Sequence, residues 1–208
     1  MANDNTGFTE QQLKDYWKAY HGVDLHFFDQ LSFNVDGTGH IDIWFLPVND
    51  NAVIVGEWAQ EDAYGSKAIT DSAAQYMQDS GYTVYWTPNW SSKKKTYGCA
   101  NQSFNHPVLV FMSNFYCQHL TTFSCSFCSY STHFTYTNAV IANDIVIISK
   151  FNLEPQDTAA LDVYKAAFPS KTIVQVDSSR IISRSGALHC IAQHVYDCCV
   201  PASTEASL

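Results

Sequence analysis

The sequence predicts an α/β fold built from repeated strand-strand-helix-strand units, and three observations support that class. Short apolar or alternating runs bounded by turn residues are separated by stretches with helical spacing. The same order of elements is written twice along the chain. The composition is that of a packed domain: of 208 residues, 46% are hydrophobic and 15% charged, with 13 Phe, 12 Tyr and 5 Trp. This balance excludes a disordered chain, a collagen-like repeat and a charged coiled coil.

The elements follow in order. Thr9 and Gln12 have capping-box spacing, and Leu13, Trp17 and Tyr20 recur at helical intervals, so a helix is predicted over 9–20 with Gly22 as its stop. A short extended piece, Val23 to Phe28, comes next. From Gly39, the text HIDIWFLPV, the turn-like Asn49-Asp50-Asn51 and AVIVGEW read as a two-stranded hairpin with Pro47 near its exit. Ile69, Ala73, Tyr76 and Met77 mark a helix closed by Gly81, after which YTVYW returns as a strand.

The second copy starts at YTNAVIA, turns at Asn143-Asp144 and continues as IVIISKF. DTAALDVYKAAF then supplies a helix with Leu161, Tyr164 and Phe168 on one face, and TIVQV closes the unit. A third start lies at Leu188-His189-Cys190, while the N-terminal helix and extended piece read as the tail of an earlier copy. Between the copies, residues 106–134 contain no Asp, Glu, Lys or Arg and show neither alternation nor a helical stripe. No element is assigned there, and the stretch reads equally as a functional loop, an insertion or translated non-coding sequence.

Twenty acidic against eleven basic residues give a net charge of −9, which repels a phosphate backbone and attracts a cationic substrate. Nucleic acid is excluded as the expected partner. No apolar run reaches the ~18 to 20 residues of a membrane span, and the N-terminus lacks the basic and apolar regions of a signal peptide. The chain therefore reads as soluble, with compartment and oligomeric state left open. Seven cysteines, clustered rather than evenly spaced, do not form the framework of a secreted disulfide domain.

Several residues have the chemistry of a site. Cys190 is the leading nucleophile: Gly186 and the small residues around it give close backbone access, and His189 and His194 flank it. Its alternative is an ordinary buried cysteine. His40 and Asp42, two apart in a predicted strand, would face one side as a general acid/base beside a carboxylate, or else form a satisfied polar pair at a sheet edge. Asn138 serves either as a turn residue or as an amide orienting a histidine, as in a Cys-His-Asn arrangement. Cys125 and Cys128 with His133, or with His189 and Cys190, could supply zinc ligands, but a second correctly spaced cysteine pair is missing and no metal is assigned. Lys93 to Lys95 read as a solvated loop rather than an anion site.

Taken together, GTGHIDIW at 37–44, TYTNAVIANDIVII at 135–148, ALDVYKAAFP at 160–169 and GALHCIAQHV at 186–195 resemble the bacterial-type peptidylarginine deiminase and agmatine deiminase family of the guanidino-group-modifying superfamily. TYTN and ALHC are closer to the peptidylarginine branch. The resemblance covers about 37–60 and 135–197 and implies a partial deiminase domain over 1–208 whose N-terminal modules are missing. It implies an α/β propeller of five ββαβ modules with the site in a central channel. By motif position Cys190 is then the nucleophile, His40 the general acid/base, Asp42 the carboxylate that binds the substrate, and Asn138 a polar member of the same cluster.

The activity so implied converts a guanidinium to a ureido group with release of ammonia through a cysteine thiouronium adduct, without metal or organic cofactor. The partner is a cationic guanidino substrate, peptidylarginine or agmatine. A catalytically inactive guanidino-binding fragment is the second reading and a Cys-His-Asn thiol protease the third.

Overall fold

The computed structural model describes residues 7–32, 34–36, 38–91, 95–97, 128–130, 132–184 and 186–194. Two compact units are distinguished, Met1–Gln30 and Leu31–Leu208. In the first, helix α1 (Glu10–His21) begins with the expected reciprocal cap: Gln12 N–H donates to Thr9 Oγ1 at 3.2 Å and Thr9 N–H to Gln12 Oε1 at 2.8 Å. Gly22, at φ 68°, ends it in the left-handed conformation, its N–H bonded to the Lys18 carbonyl. The extended piece after it forms no strand.

The second unit carries the repeat. Its first copy is β1 (Phe45–Asn49), β2 (Ala52–Glu57), α2 (Ser66–Asp79) and β3 (Thr83–Ser91). Short strands β4 (Lys95–Tyr97) and β5 (Cys128–Tyr130) pair antiparallel, and β6 (His133–Thr135) joins the edge of β3. The second copy is β7 (Val140–Ala142), β8 (Ile145–Lys150), α3 (Gln156–Ala167) and β9 (Thr172–Asp177). The four-residue helix α4 (Leu188–Ile191) follows.

Both copies have the same pairing. A hairpin places the first two strands antiparallel, and the helix crosses over so that the third strand runs parallel to the second, with Ile54 opposite Tyr85 in one copy and Ile147 opposite Val174 in the other. Central strand β2 is almost wholly buried, which is why AVIVG reads as a continuous apolar run. Ile54, Tyr136, Val146, Ile148, Tyr164 and Phe168 lie together in the core.

Three expectations need correction. The first hairpin strand begins at Phe45 rather than near Gly39, because residues Ile41–Ile43 form a turn of 3₁₀ helix. His40 caps that turn, so the two-residue strand period does not apply to His40 and Asp42. On α2 the buried stripe is Ser66, Thr70, Ala73, Ala74 and Met77, whereas Tyr76 is exposed. The uncharged segment does contribute structure at its C-terminal end, through β5 and β6; residues 106–127 of it, together with Cys125, Lys93 and Lys94, lie outside the described residues.

A buried polar network fixes the chain just before the site. Asp157, in the first turn of α3, accepts from the Tyr136 hydroxyl at 2.7 Å and from the Phe151 and Leu153 amides at 2.9 and 2.8 Å. Tyr164 donates to the Tyr136 carbonyl at 2.6 Å. Burial raises both tyrosine pKa values above the ordinary phenol value, and the adjacent Asp157 adds to the effect at Tyr136. These phenols therefore stay protonated and act as fixed donors. The consequence is a rigid base beneath Thr137 and Asn138.

Candidate active site

The site forms where three turns meet. One is the 3₁₀ turn bearing Asp42, the second is the Thr135–Asn138 bend between β6 and β7, and the third is the approach to α4. The Thr135 hydroxyl oxygen accepts the amides of Thr137 and Asn138 at 3.2 and 3.3 Å, curling the bend around itself. Thr137 donates its hydroxyl to the Asp42 carbonyl at 2.9 Å, so in its 3.0 Å contact with Thr135 the donor is Thr135. The bend is thereby tied to the turn that carries Asp42.

Asn138 is fully buried and its side chain is completely used. Its Oδ1 accepts from the Ala187 and His189 amides at 3.0 and 3.1 Å, holding the chain that enters α4. Its Nδ2 donates to Asp42 Oδ2 at 2.6 Å and to Cys190 Sγ at 3.2 Å. An amide has two donor hydrogens, and here one goes to a carboxylate and the other to a thiol. Carboxylate and sulfur are thus held to the same nitrogen.

Cys190 is a free, exposed thiol. Its position depends on Gly186: a Cβ there would stand 2.7 Å from Sγ and 2.8 Å from the Cβ of Cys190. Only a residue without a side chain allows that approach. The thiolate is the nucleophilic form of a cysteine.

Of the residues singled out from sequence, Asp42, Asn138 and Cys190 are brought together. His40 is exposed at the start of the 3₁₀ turn, with its backbone amide on Thr38 Oγ1 at 3.3 Å, and its ring makes no hydrogen bond to Asp42 or Cys190. His189, noted only as a neighbour of Cys190, instead reaches Asp42 Oδ2 through Nδ1 at 2.6 Å. Its ring centroid is 6.4 Å from that of His194. The signal for His189 was its place beside Cys190. Asp42 Oδ1 is buried and has no hydrogen-bond partner among the described residues.

A second polar cluster lies behind the Asp42 turn. Buried His133 contacts Asn89 Oδ1 through Nε2 at 2.6 Å, and Asn89 Nδ2 donates to the Ile43 carbonyl at 3.3 Å. Burial pushes the His133 pKa down to about 4 against the pull of Asp36 and Asp62, so the ring is neutral at physiological pH. Among the described residues no group of His, Cys, Asp and Glu is arranged to hold a metal ion, and no helix is long and apolar enough to cross a membrane.

Comparison with known proteins bears on the family and the fold. The sequence profile of the Porphyromonas-type peptidyl-arginine deiminases matches residues 1–195. A Streptomyces avermitilis protein provisionally named agmatine deiminase is 33% identical over 60 residues, which are 29% of this chain and 17% of that protein. Among solved structures, agmatine deiminase of Enterococcus faecalis superposes with a TM-score of 0.60 at 18% identity, covering 91% of this chain and 49% of that one. Agmatine deiminase of C. jejuni gives 0.59 at 16% identity, covering 90% and 47%. The chain thus has the α/β propeller fold of these proteins over about half their length.

Proposed function

The chain belongs to the Porphyromonas-type peptidyl-arginine deiminase family, and from that premise we propose that it carries the nucleophile and one substrate carboxylate of a guanidino-group deiminase. The observation that carries this reading is the Asn138 amide, whose Nδ2 lies 2.6 Å from the Asp42 carboxylate and 3.2 Å from the Cys190 sulfur. A guanidinium is planar, permanently charged at neutral pH and electrophilic at its central carbon. Asp42 holds its N–H edge through a charge-assisted hydrogen bond, which presents that carbon to sulfur.

Cys190 thiolate attacks the carbon, forming a C–S bond and a tetrahedral adduct. The adduct collapses as a C–N bond breaks, and His40 protonates the departing nitrogen, which leaves as ammonia. The remaining thiouronium is attacked by a water that His40 deprotonates. The C–S bond then breaks, giving a ureido product and restoring the thiolate. His40, exposed beside Asp42, takes its working position with substrate in place, since catalytic hydrogen bonds are often loose in the free enzyme.

The substrate is peptidylarginine or agmatine. The test is to incubate the purified chain with each and measure ureido product and ammonia, with Cys190→Ala as control. Product that vanishes in the variant supports the deiminase. The His40 ring, without a hydrogen bond to Cys190, favours a second reading, a guanidino-binding module without turnover. Saturable binding of either compound with no product would establish that one, and cleavage of peptide bonds would overturn both.

A further inference from the structure

We infer that His189 is a positioning residue for Asp42: its Nδ1–H fixes one carboxylate oxygen and so leaves the other for the guanidinium. The inference rests on Asp42 being the substrate carboxylate. Asp42 Oδ2 lies 2.6 Å from His189 Nδ1 and 2.6 Å from Asn138 Nδ2. With the carboxylate as acceptor, the imidazole donates through a proton on Nδ1 and turns Nε2 away from Asp42. With two donors Oδ2 is occupied. Oδ1, buried and without a partner among the described residues, is the acceptor that remains, and an unmet buried acceptor favours whatever donor reaches it.

The contact also closes a ring. The His189 amide donates to Asn138 Oδ1 at 3.1 Å, the Asn138 Nδ2 donates to Asp42, and the His189 ring returns to Asp42. Asp42 cannot turn its carboxylate without breaking two bonds to different parts of the chain. The His189 side chain is 49% exposed, against 20% for Asp42. The fold therefore has little need of the imidazole, whereas the direction of Oδ1 depends on it.

The test uses the full chain and two alkylating probes of the same shape, cationic chloroacetamidine and neutral chloroacetamide. In both, Cys190 sulfur forms a bond to the CH₂ carbon and chloride leaves. Modification is located at Cys190 by peptide mass spectrometry. The ratio of the two rates cancels thiol exposure and thiolate fraction, leaving the preference for a planar cation. His189→Leu is expected to lower that ratio about fivefold, the scale of an exposed charge-assisted contact.

His189→Asn, whose amide nitrogen sits on Cγ as Nδ1 does, is expected to restore most of the preference. His189→Gln, with its amide one carbon farther out, is not. Circular dichroism confirms that each variant is folded. If the ratio in His189→Leu equals or exceeds that of the parent while Asp42→Asn lowers it, the inference is overturned and the substrate reading stands. Equal rescue by Gln and Asn also overturns it. If the parent itself shows no cation preference, the substrate reading falls first and the inference with it.

Discussion

Removing the Asn138 side chain tests the connection between fold and site most directly. In Asn138→Ala the buried Ala187 amide loses its only acceptor among the described residues, at 3.0 Å, while the His189 amide keeps a longer contact to the Asn138 carbonyl at 3.4 Å. A buried donor left unmet costs about 1–3 kcal/mol, and the lost bond to Asp42 adds about 1.5 kcal/mol at the low end for a charged partner. The lower value is used because Asp42 is partly exposed and retains its contact with His189. The sum is about 3 kcal/mol, a substantial part of the ~5 to 15 kcal/mol that holds a domain folded. Urea unfolding followed by tryptophan fluorescence measures it. Asn138→Asp separates the two halves of the side chain, since it keeps the acceptor for both amides but sets a second carboxylate 2.6 Å from Asp42 Oδ2. One of the two must then hold a proton, so its folded-state pKa rises above the unfolded carboxylate value. Stability relative to the parent is therefore greatest below that unfolded value, near ~3.9, and is lost as pH rises through the folded one. The Asp variant should lag the parent more at pH 8 than at pH 5, and the Ala variant equally at both. A loss under about 1 kcal/mol in Asn138→Ala, or an Asp variant as stable as the parent at pH 8, would refute the assignment of Asn138 as the tie between these loops.

Two further perturbations address the surroundings of the site. Gly186→Ala places a methyl 2.7 Å from Cys190 Sγ, so either the thiol or the loop must move; a loss of about 1–3 kcal/mol and a changed rate of Cys190 alkylation by neutral chloroacetamide are expected. An unaltered midpoint and rate would show that the loop yields freely. The second concerns His133, whose pKa falls from 6.5 in the unfolded chain to about 4 in the fold. Protons therefore bind the unfolded chain preferentially, stability is full above the unfolded value, and about 3 kcal/mol is lost as pH drops from 6.5 toward 4. His133→Gln, which can still donate to Asn89, should flatten that limb in urea unfolding across the range, and identical slopes in the two proteins would assign it to other groups.

The repeat was legible because burial leaves a direct mark on sequence. β2 is covered on both sides and reads AVIVG without interruption, while Leu161 and Tyr164 of α3 and Phe168 at its C-cap record the helical period of the face that meets the sheet. Tyr76 shows where that signal fails. It falls in step with Ile69, Ala73 and Met77, but the stripe on α2 is narrow and filled by Ser66, Thr70 and Ala74, leaving the large ring in solvent at 42% exposure. Small polar residues packed under a helix have no hydrophobic signature, so the face could not be placed from apolar residues alone.

The site was legible in its chemistry and less so in its geometry. Asp42, Asn138 and Cys190 stand out because a carboxylate, an amide and a thiol have little reason to sit together in a core. Their contact spans 96 and 52 positions and depends on turn conformations that no side-chain periodicity encodes. The expected strand period at His40 and Asp42 required an extended backbone, but Thr38 and Asp36 bond one another and the chain then enters a 3₁₀ turn, to which that period does not apply. The same turn frees the Asp42 carboxylate to face α4, 147 positions away, and there the neighbouring histidine is His189. Proximity in sequence therefore pointed to one imidazole and the folded backbone supplied another. The residues that hold the Asp42 carboxylate in its direction come from the loops before β1, between β6 and β7, and at α4, not from a single motif.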